Sequence, residues 1–240
     1  MIYYLEQTSS TNTWAKEHLS QLQDGDAVFT QNQTNGKGRL GRRWENLAGC
    51  GLYYTAIIQR PMADPSTLPL YASLAAANAI FKITAQMPSI KWPNDLLLNC
   101  KKVSGILCEC VSGVYLCGIG INLCHPQSYF DQQNLPYGTS LLLQGAKQAE
   151  NPKQFAEQLA QQLTHSFTTE MNDFCTKGFS CIAEQYRQQC INLGREVWID
   201  GMQGTATGID PQGRLIVQTP NKEDHIFTGE VSIKGIYGHL

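Results

Sequence analysis

Between residues 90 and 120 the chain runs through three strand-like segments, 90–98, 102–111 and 114–120, separated only by short polar turns. Turns that short suit pairing between neighbours, so this stretch builds most of one sheet. Upstream, 2–7, 27–31 and 51–59 carry the β-branched and aromatic content of further strands. Ser9, Ser10, Thr11 and Asn12 supply hydroxyl and amide caps for a helix through His18, and 34–49 is a polar, glycine-rich loop. An alanine-rich helix over 68–85 turns Leu70, Leu74, Ala77 and Phe81 to one face. Asn151 and Pro152 open another helix, with Phe155, Leu159, Leu163 and Phe167 on its inner face, and 179–190 forms a further one; both should cover the sheet. After Leu193 the texture changes to short strands, 196–199, 204–208, 215–218 and 225–233, with Asp-Gly and Pro-Gln-Gly turns, as in a small β-barrel. The pattern predicts an α/β (α+β) protein with a large domain over 1–190 and a barrel over 191–240. About fifty residues are marginal for independent stability, so the barrel should dock on its neighbour.

Composition narrows the function classes. With 42% hydrophobic and 16% charged residues in 240, the chain can bury a sizeable core. Eighteen basic residues against 20 acidic ones give a net charge of -2, so attraction to a polyanion has to come from a local cluster. The N-terminus lacks a signal-peptide pattern, and no apolar run approaches the roughly 20 residues that span a bilayer. A soluble, cytoplasmic protein without membrane contact is expected. Nine cysteines is an odd number with no CxxC pair, which fits reduced, buried thiols. The five histidines show no metal-binding spacing.

Four segments carry chemistry. Gly36-Lys37-Gly38-Arg39-Leu40-Gly41-Arg42-Arg43-Trp44 sets three glycines among four cations, which suits a bound phosphate or carboxylate. It is not a Walker A loop, and no apolar-periodic helix follows it. Taken alone it equally suits a solvated basic turn or a nucleic-acid patch. Lys91-Trp92-Pro93-Asn94-Asp95 interrupts an apolar strand; Pro93 cannot donate to a ladder and marks an edge or bulge where a side chain is re-aimed, unless this is an ordinary polar turn. Asp95 would then hold Mg2+ or orient an amine. Lys102-Val103-Ser104-Gly105-Ile106-Leu107 places one lysine in an apolar strand. If buried, Lys102 needs a negative partner, which a carboxylate substrate or an α-phosphate would supply. In Gly118-Ile119-Gly120-Ile121-Asn122, paired glycines let a ligand approach the backbone and Asn122 offers donor and acceptor.

Ser10-Thr11-Asn12 and these four segments, in this order and spacing, closely resemble the biotin–protein ligase family over almost the whole chain. The resemblance implies a catalytic domain with a mixed sheet, similar to class II aminoacyl-tRNA synthetases, followed by an SH3-like β-barrel. It implies that biotin and ATP give biotinyl-5′-AMP and pyrophosphate, and that biotin then passes to a lysine of a biotin carboxyl carrier domain, such as that of acetyl-CoA carboxylase. Residue by residue, it places Ser10, Thr11, Asn12, Gln33, Lys37, Gly38, Arg39, Lys102 and Gly105 at biotin. Gly36, Arg42, Trp44, Asn94 and Asn122 fall at the adenylate, and Asp95 at Mg2+; Lys102, Arg39 and Asp95 form the catalytic set. The family more often has arginine where this chain has Lys37, which keeps the charge and loses the bidentate fork. Because Ser10 already belongs to the catalytic domain, a form without an N-terminal helix-turn-helix domain is expected, with no specific DNA binding. An exposed edge strand would allow a homodimer by sheet extension.

Three other readings compete. Lipoate–protein ligases and octanoyltransferases resemble the same fold but lack the arginine-rich loop. A nonenzymatic biotin sensor would be expected to lose Arg39, Arg42 and Lys102. An RNA-binding module would interleave aromatics with its charges, and the loop has only Trp44.

Overall fold

The computed structural model describes residues 1–199 and 201–236; Asp200 of the expected Asp-Gly turn, and residues 237–240 with His239, lie outside the described residues. Its larger part is built from strands β1 (Ile2–Leu5), β2 (Ala27–Thr30), β3 (Gly36–Lys37), β4 (Arg43–Trp44), β5 (Gly51–Ile58), β6 (Ser89–Lys91), β7 (Asp95–Leu98), β8 (Lys101–Val111) and β9 (Val114–Asn122). Helices α1 (Thr11–Glu17), α2 (Leu68–Thr84), α3 (Gln127–Gln132), α4 (Pro152–His165), α5 (Met171–Lys177) and α6 (Ala183–Gln189) accompany them. Seven strands form one mixed sheet in the order β1-β2-β5-β9-β8-β7-β6, parallel only between β1 and β2.

Burial on both sides explains why the central strands read as continuous apolar runs. All eight residues of β5 are buried. One face packs Val28, Ile57 and Leu116 under Ala15 of α1; the other packs Tyr54, Ala56 and Ile119 in the main core with α2 and α4. Small side chains at Ala72, Ala75, Ala76 and Ala79 are buried along α2. Phe81, expected on that buried face, is exposed, and Ile80 is the inward residue of that turn. Asn151 caps α4 by accepting from the Gln154 N–H, and Pro152 occupies the first turn.

Several boundaries differ from the sequence expectation. Segment 90–98 is a hairpin of two strands, with Trp92-Pro93-Asn94 in its turn, because Pro93 has no N–H to continue a ladder. The glycine-rich loop contains the β3–β4 ribbon. Helix 179–190 divides into a 3-10 turn, Gly178–Cys181, and α6. Ser10 stands at the N-cap of α1, but its hydroxyl makes no capping bond.

The expected barrel region is a five-stranded antiparallel sheet, β10 (Glu196–Ile199), β11 (Met202–Ile209), β12 (Leu215–Gln218), β13 (Glu223–Ile226) and β14 (Val231–Ile233), ordered β13-β12-β11-β10-β14. Segment 225–233 thus separates into two strands with different partners. As expected, this sheet docks on the larger part. The indole Nε1 of Trp92 donates to the Gly213 carbonyl at 3.0 Å, Arg187 donates twice to the Ile209 carbonyl, and Val197, Leu215 and Val217 join the main core.

Candidate active site

The site lies on the α1 face of the sheet. Lys91, Asp95, Gly105, Gly120 and Tyr53 are successive cross-strand partners, and strand alternation gives one row one face. A chemistry-bearing Lys–Asp pair at the sheet edge thus continues into a floor of two glycines. The next row adds Leu107, Gly118 and Thr55. Above these rows is a cavity of about 600 Å³.

A β-bulge brings Lys102 to this face. The register between β7 and β8 shifts between Leu96 and Leu97, pairing Leu96 with Ser104 and Leu97 with Lys102, which leaves Val103 as the extra residue. Bulges re-aim side chains in this way. The feature expected near Pro93 therefore lies one strand further on. Lys102's displaced backbone is satisfied by the following loop: its N–H donates to the Tyr137 carbonyl at 2.6 Å and its carbonyl accepts from Thr139 at 2.9 Å. Its ammonium stands 2.7 Å from Asp95 Oδ1 and 5.3 Å from the centre of the Trp44 ring. The negative partner that a buried lysine requires is thus internal, so a substrate anion would meet a lysine already held in place.

The glycine floor is occupied by Trp44. A Cβ at Gly105 would lie 2.6 Å from Trp44 Cζ3, and one at Gly120 would lie 2.8 Å from Cε2. Both residues are glycine because the indole lies against the backbone, not because of a special backbone conformation. From the ribbon, Arg39 Nη1 donates to Asn94 Oδ1 at 2.7 Å, and Asn94 is pinned to β8 by bonds in both directions with Ile106. Arg39 Nη2 also reaches Thr228 Oγ1 at 3.2 Å, and Arg42 pairs with Glu230, so the second sheet contributes to the cavity wall.

At the opposite end, the first turn of α1 meets β5 and β8. Gln33 Oε1 accepts from the Thr11 backbone N–H at 2.9 Å; Thr55 Oγ1 lies 2.6 Å from Asn12 Oδ1; Asn12 Nδ2 donates to Glu109 Oε2 at 2.7 Å and to the Leu107 carbonyl at 3.3 Å. Asn122, below, donates to the Thr139 carbonyl at 2.9 Å. Burial pushes the Lys91 ammonium down to about 8, with Asp95 opposing the shift and Lys102 reinforcing it.

The sequence-selected residues Ser10, Thr11, Asn12, Gln33, Lys37, Gly38, Arg39, Arg42, Trp44, Asn94, Asp95, Lys102, Gly105 and Asn122 all line this one cavity. Gly36 stands behind the wall, where a Cβ would meet the Trp44 carbonyl at 2.6 Å. Sequence reasoning missed Lys91, Tyr53, Thr55, Glu109, Thr228 and Glu230. Thr55 and Glu109 are single polar residues within apolar runs of their strands, which sequence alone does not tie to the site, and Thr228 and Glu230 carried no signal.

Sheet, glycine floor and cation-rich ribbon enclose one cavity. Residues 4–124 match the biotin/lipoate A/B protein ligase family, and 193–234 match the biotin protein ligase C terminal domain. The chain belongs to the biotin/lipoate A/B protein ligase family. It is 31% identical to a biotin--[acetyl-CoA-carboxylase] ligase of Paracoccus denitrificans, over 96% of this chain and 100% of that protein. It is 29% identical to the bifunctional ligase/repressor BirA of Bacillus subtilis, over 97% of this chain and 74% of that protein. Among solved structures it is similar to the biotin protein ligase of Aquifex aeolicus in complex with biotin and ATP, with a TM-score of 0.81, 28% identity, and coverage of 97% of this chain and 98% of that one.

Proposed function

We propose that the protein activates biotin with ATP and transfers it to a lysine of a biotin carboxyl carrier domain, such as that of acetyl-CoA carboxylase. The carrying observation is the convergence of Lys102, Asp95, Arg39 and Asn94 above a glycine floor in one cavity, in a chain that belongs to a ligase family. Residues 1–190 serve as the catalytic unit and 191–240 as a docked second unit. ATP as a substrate fits a cytoplasmic setting. A homodimer by sheet extension would use β1 or β6, the edges of the larger sheet.

In the first step a biotin carboxylate oxygen bonds to the α-phosphorus as the bond to the β-phosphate oxygen breaks and pyrophosphate leaves. Negative charge grows on the α-phosphoryl oxygens, and the Lys102 ammonium and Arg39 guanidinium are the donors aimed at it, each contributing about 3 kcal/mol when well placed. Asp95 keeps Lys102 in one position. Gln33, Thr11 and Asn12 hold the ureido ring, and Trp44 covers the adenylate and keeps water from it. In the second step the neutral ε-amine of the acceptor lysine attacks the acyl carbon, AMP leaves with the electron pair of the broken acyl C–O bond, and the extra proton on the new amide nitrogen is lost to solvent.

Mg2+ would supply charge neutralisation on the nucleotide phosphates. Asp95 is the carboxylate that would reach it, and among the described residues no cluster of three or more acidic, histidine or cysteine ligands gathers anywhere. That donor set fits an ion carried in by ATP and not one enclosed by protein. The test is transfer itself: incubation with biotin, ATP and a biotin carboxyl carrier domain, followed by intact-mass measurement. One biotinyl addition per carrier, abolished when the acceptor lysine is arginine, is expected; addition of lipoate in preference to biotin would overturn the reading.

A further inference from the structure

The nine cysteines carry no CxxC spacing, yet the fold sets two of them side by side. Cys108 of β8 and Cys117 of β9 are direct cross-strand partners, and their Sγ atoms stand 3.2 Å apart. Strand alternation turns both thiols to the α2 and α4 side of the sheet, away from the cavity. We propose that Cys108 and Cys117 form a modification site, a thiol pair that an oxidant of the peroxide class closes to a reversible cross-strand disulfide.

The hairpin turn decides whether that bond can form. Ser112 and Gly113 join the strands with φ of 52° and 80°, the two positive values of a type I′ turn. The closing pair, Val111 and Val114, exchanges its backbone hydrogen bonds, and alternation from there makes Cys108 and Cys117 a pair that does not. Two residues before Cys108, the Ile106 N–H accordingly points away from β9 and donates to the Asn94 carbonyl. In pairs of this second kind the Cα atoms are about 4.5 Å apart and the side chains lean together, inside the span of about 4.4–6.8 Å that a disulfide bridges. Closure therefore needs side-chain rotation and no change of register.

The two sulfurs are not equivalent. β9 lies between β5 and β8, and Cys117 is fully buried. Burial first, and the contact with Cys108 next, push its thiol well above the ordinary range, so Cys117 stays protonated and donates to Cys108. β7 pairs with β8 only as far as Gly105, so Cys108 stands on an outer stretch of strand and is partly exposed. Cys108 is thus the sulfur that meets the oxidant. Its thiolate attacks one oxygen of hydrogen peroxide, the O–O bond breaks, and the hydroxide that leaves takes up the proton Cys108 released. Cys117 then attacks the sulfenic sulfur of Cys108, the S–O bond breaks, and that oxygen leaves as water with the Cys117 proton. Two thiols and one peroxide give one disulfide and two waters, and a dithiol reductant reverses the bond by exchange.

The experiment treats the folded full chain with hydrogen peroxide, alkylates the remaining thiols, and digests without reduction after lysine, arginine and glutamate. Cleavage after Lys102 and Glu109 leaves Cys108 alone on peptide 103–109, and Cys117 on 110–147 with Cys110 and Cys124. The two peptides should be found linked by mass spectrometry and should separate on treatment with dithiothreitol. The link should persist in Cys110→Ser and vanish in Cys117→Ala, where dimedone should trap Cys108 as its sulfenic acid. Because the bond constrains the unfolded chain across 108–117, the oxidised wild type should melt roughly 2–10 °C higher, and dithiothreitol should remove the shift. No linked peptide while the exposed Cys110 is oxidised would overturn the inference. So would a link that survives in Cys117→Ala, one that forms only in urea, or a melting temperature lowered by oxidation in the wild type but not in Cys117→Ala.

Discussion

Replacing the two floor glycines and Gly118 of the next row one at a time by alanine should separate the two substrates. None of Gly105, Gly118 and Gly120 has a positive φ, so alanine is acceptable to the backbone and only the space above it is at issue. At Gly118 the new methyl would lie 2.6 Å from Asn12 Oδ1; at Gly105 and Gly120 it would lie 2.6 and 2.8 Å from the Trp44 ring. Contacts that short force the neighbour to move, and overpacking of this kind costs about 1–3 kcal/mol. At about 1.4 kcal/mol per decade that is roughly a 5- to 150-fold change in the affinity the displaced side chain supports. Initial rates of pyrophosphate exchange over a grid of biotin and ATP concentrations would read it. Gly118→Ala should raise the biotin KM with the ATP KM little changed, Gly120→Ala should act mainly on ATP, and Gly105→Ala, whose methyl also presses on Lys102, should act on both substrates. The same loss for both substrates in all three variants, or none, would refute the assignment of Asn12 and Trp44 to opposite ends of the cavity.

Three smaller tests probe the frame. Trp92→Phe leaves the Gly213 carbonyl without its buried indole donor, at a cost of about 1–3 kcal/mol, and should lower the melting temperature by roughly 2–10 °C in a differential scan. Glu230→Ala breaks an ion pair whose side chains are 63% and 48% exposed, so urea unfolding should change by less than about 1 kcal/mol. Lys91 titrates near 8 in the folded chain and higher when unfolded, so between those values the unfolded state binds more protons and folding gains stability as pH rises. Urea unfolding at pH 7.5 and 9.5 should show this gain in the wild type and a smaller one in Lys91→Met.

Much of the site was legible because its chemistry sits in short contiguous segments. Trp44, Asn94, Lys102 and Asn122 each belong to a motif whose composition departs from its surroundings, and all four reach one cavity. What escaped was set by register. The hairpin that turns at Pro93 and the bulge at Val103 determine which side of the sheet receives Lys102, and neither can be placed until β7 and β8 are paired. Glu109 and Thr55 read as ordinary strand polars until alternation puts them beneath Asn12. The contribution of Thr228 and Glu230 depends on how the second sheet docks, which rests on contacts between residues more than a hundred positions apart, such as Trp92 with Gly213. Phe81 was misplaced because an apolar residue in a terminal turn satisfies the helical period whether or not anything packs there.

Adenylation with Lys102 at its centre is tested most directly by ATP–pyrophosphate exchange, with biotin and lipoate as parallel carboxylates and Lys102→Ala beside the wild type. Exchange that requires biotin and falls by about 100-fold or more in Lys102→Ala is the expected result. Exchange supported by lipoate alone, or biotin-dependent exchange that survives the loss of Lys102, would contradict it.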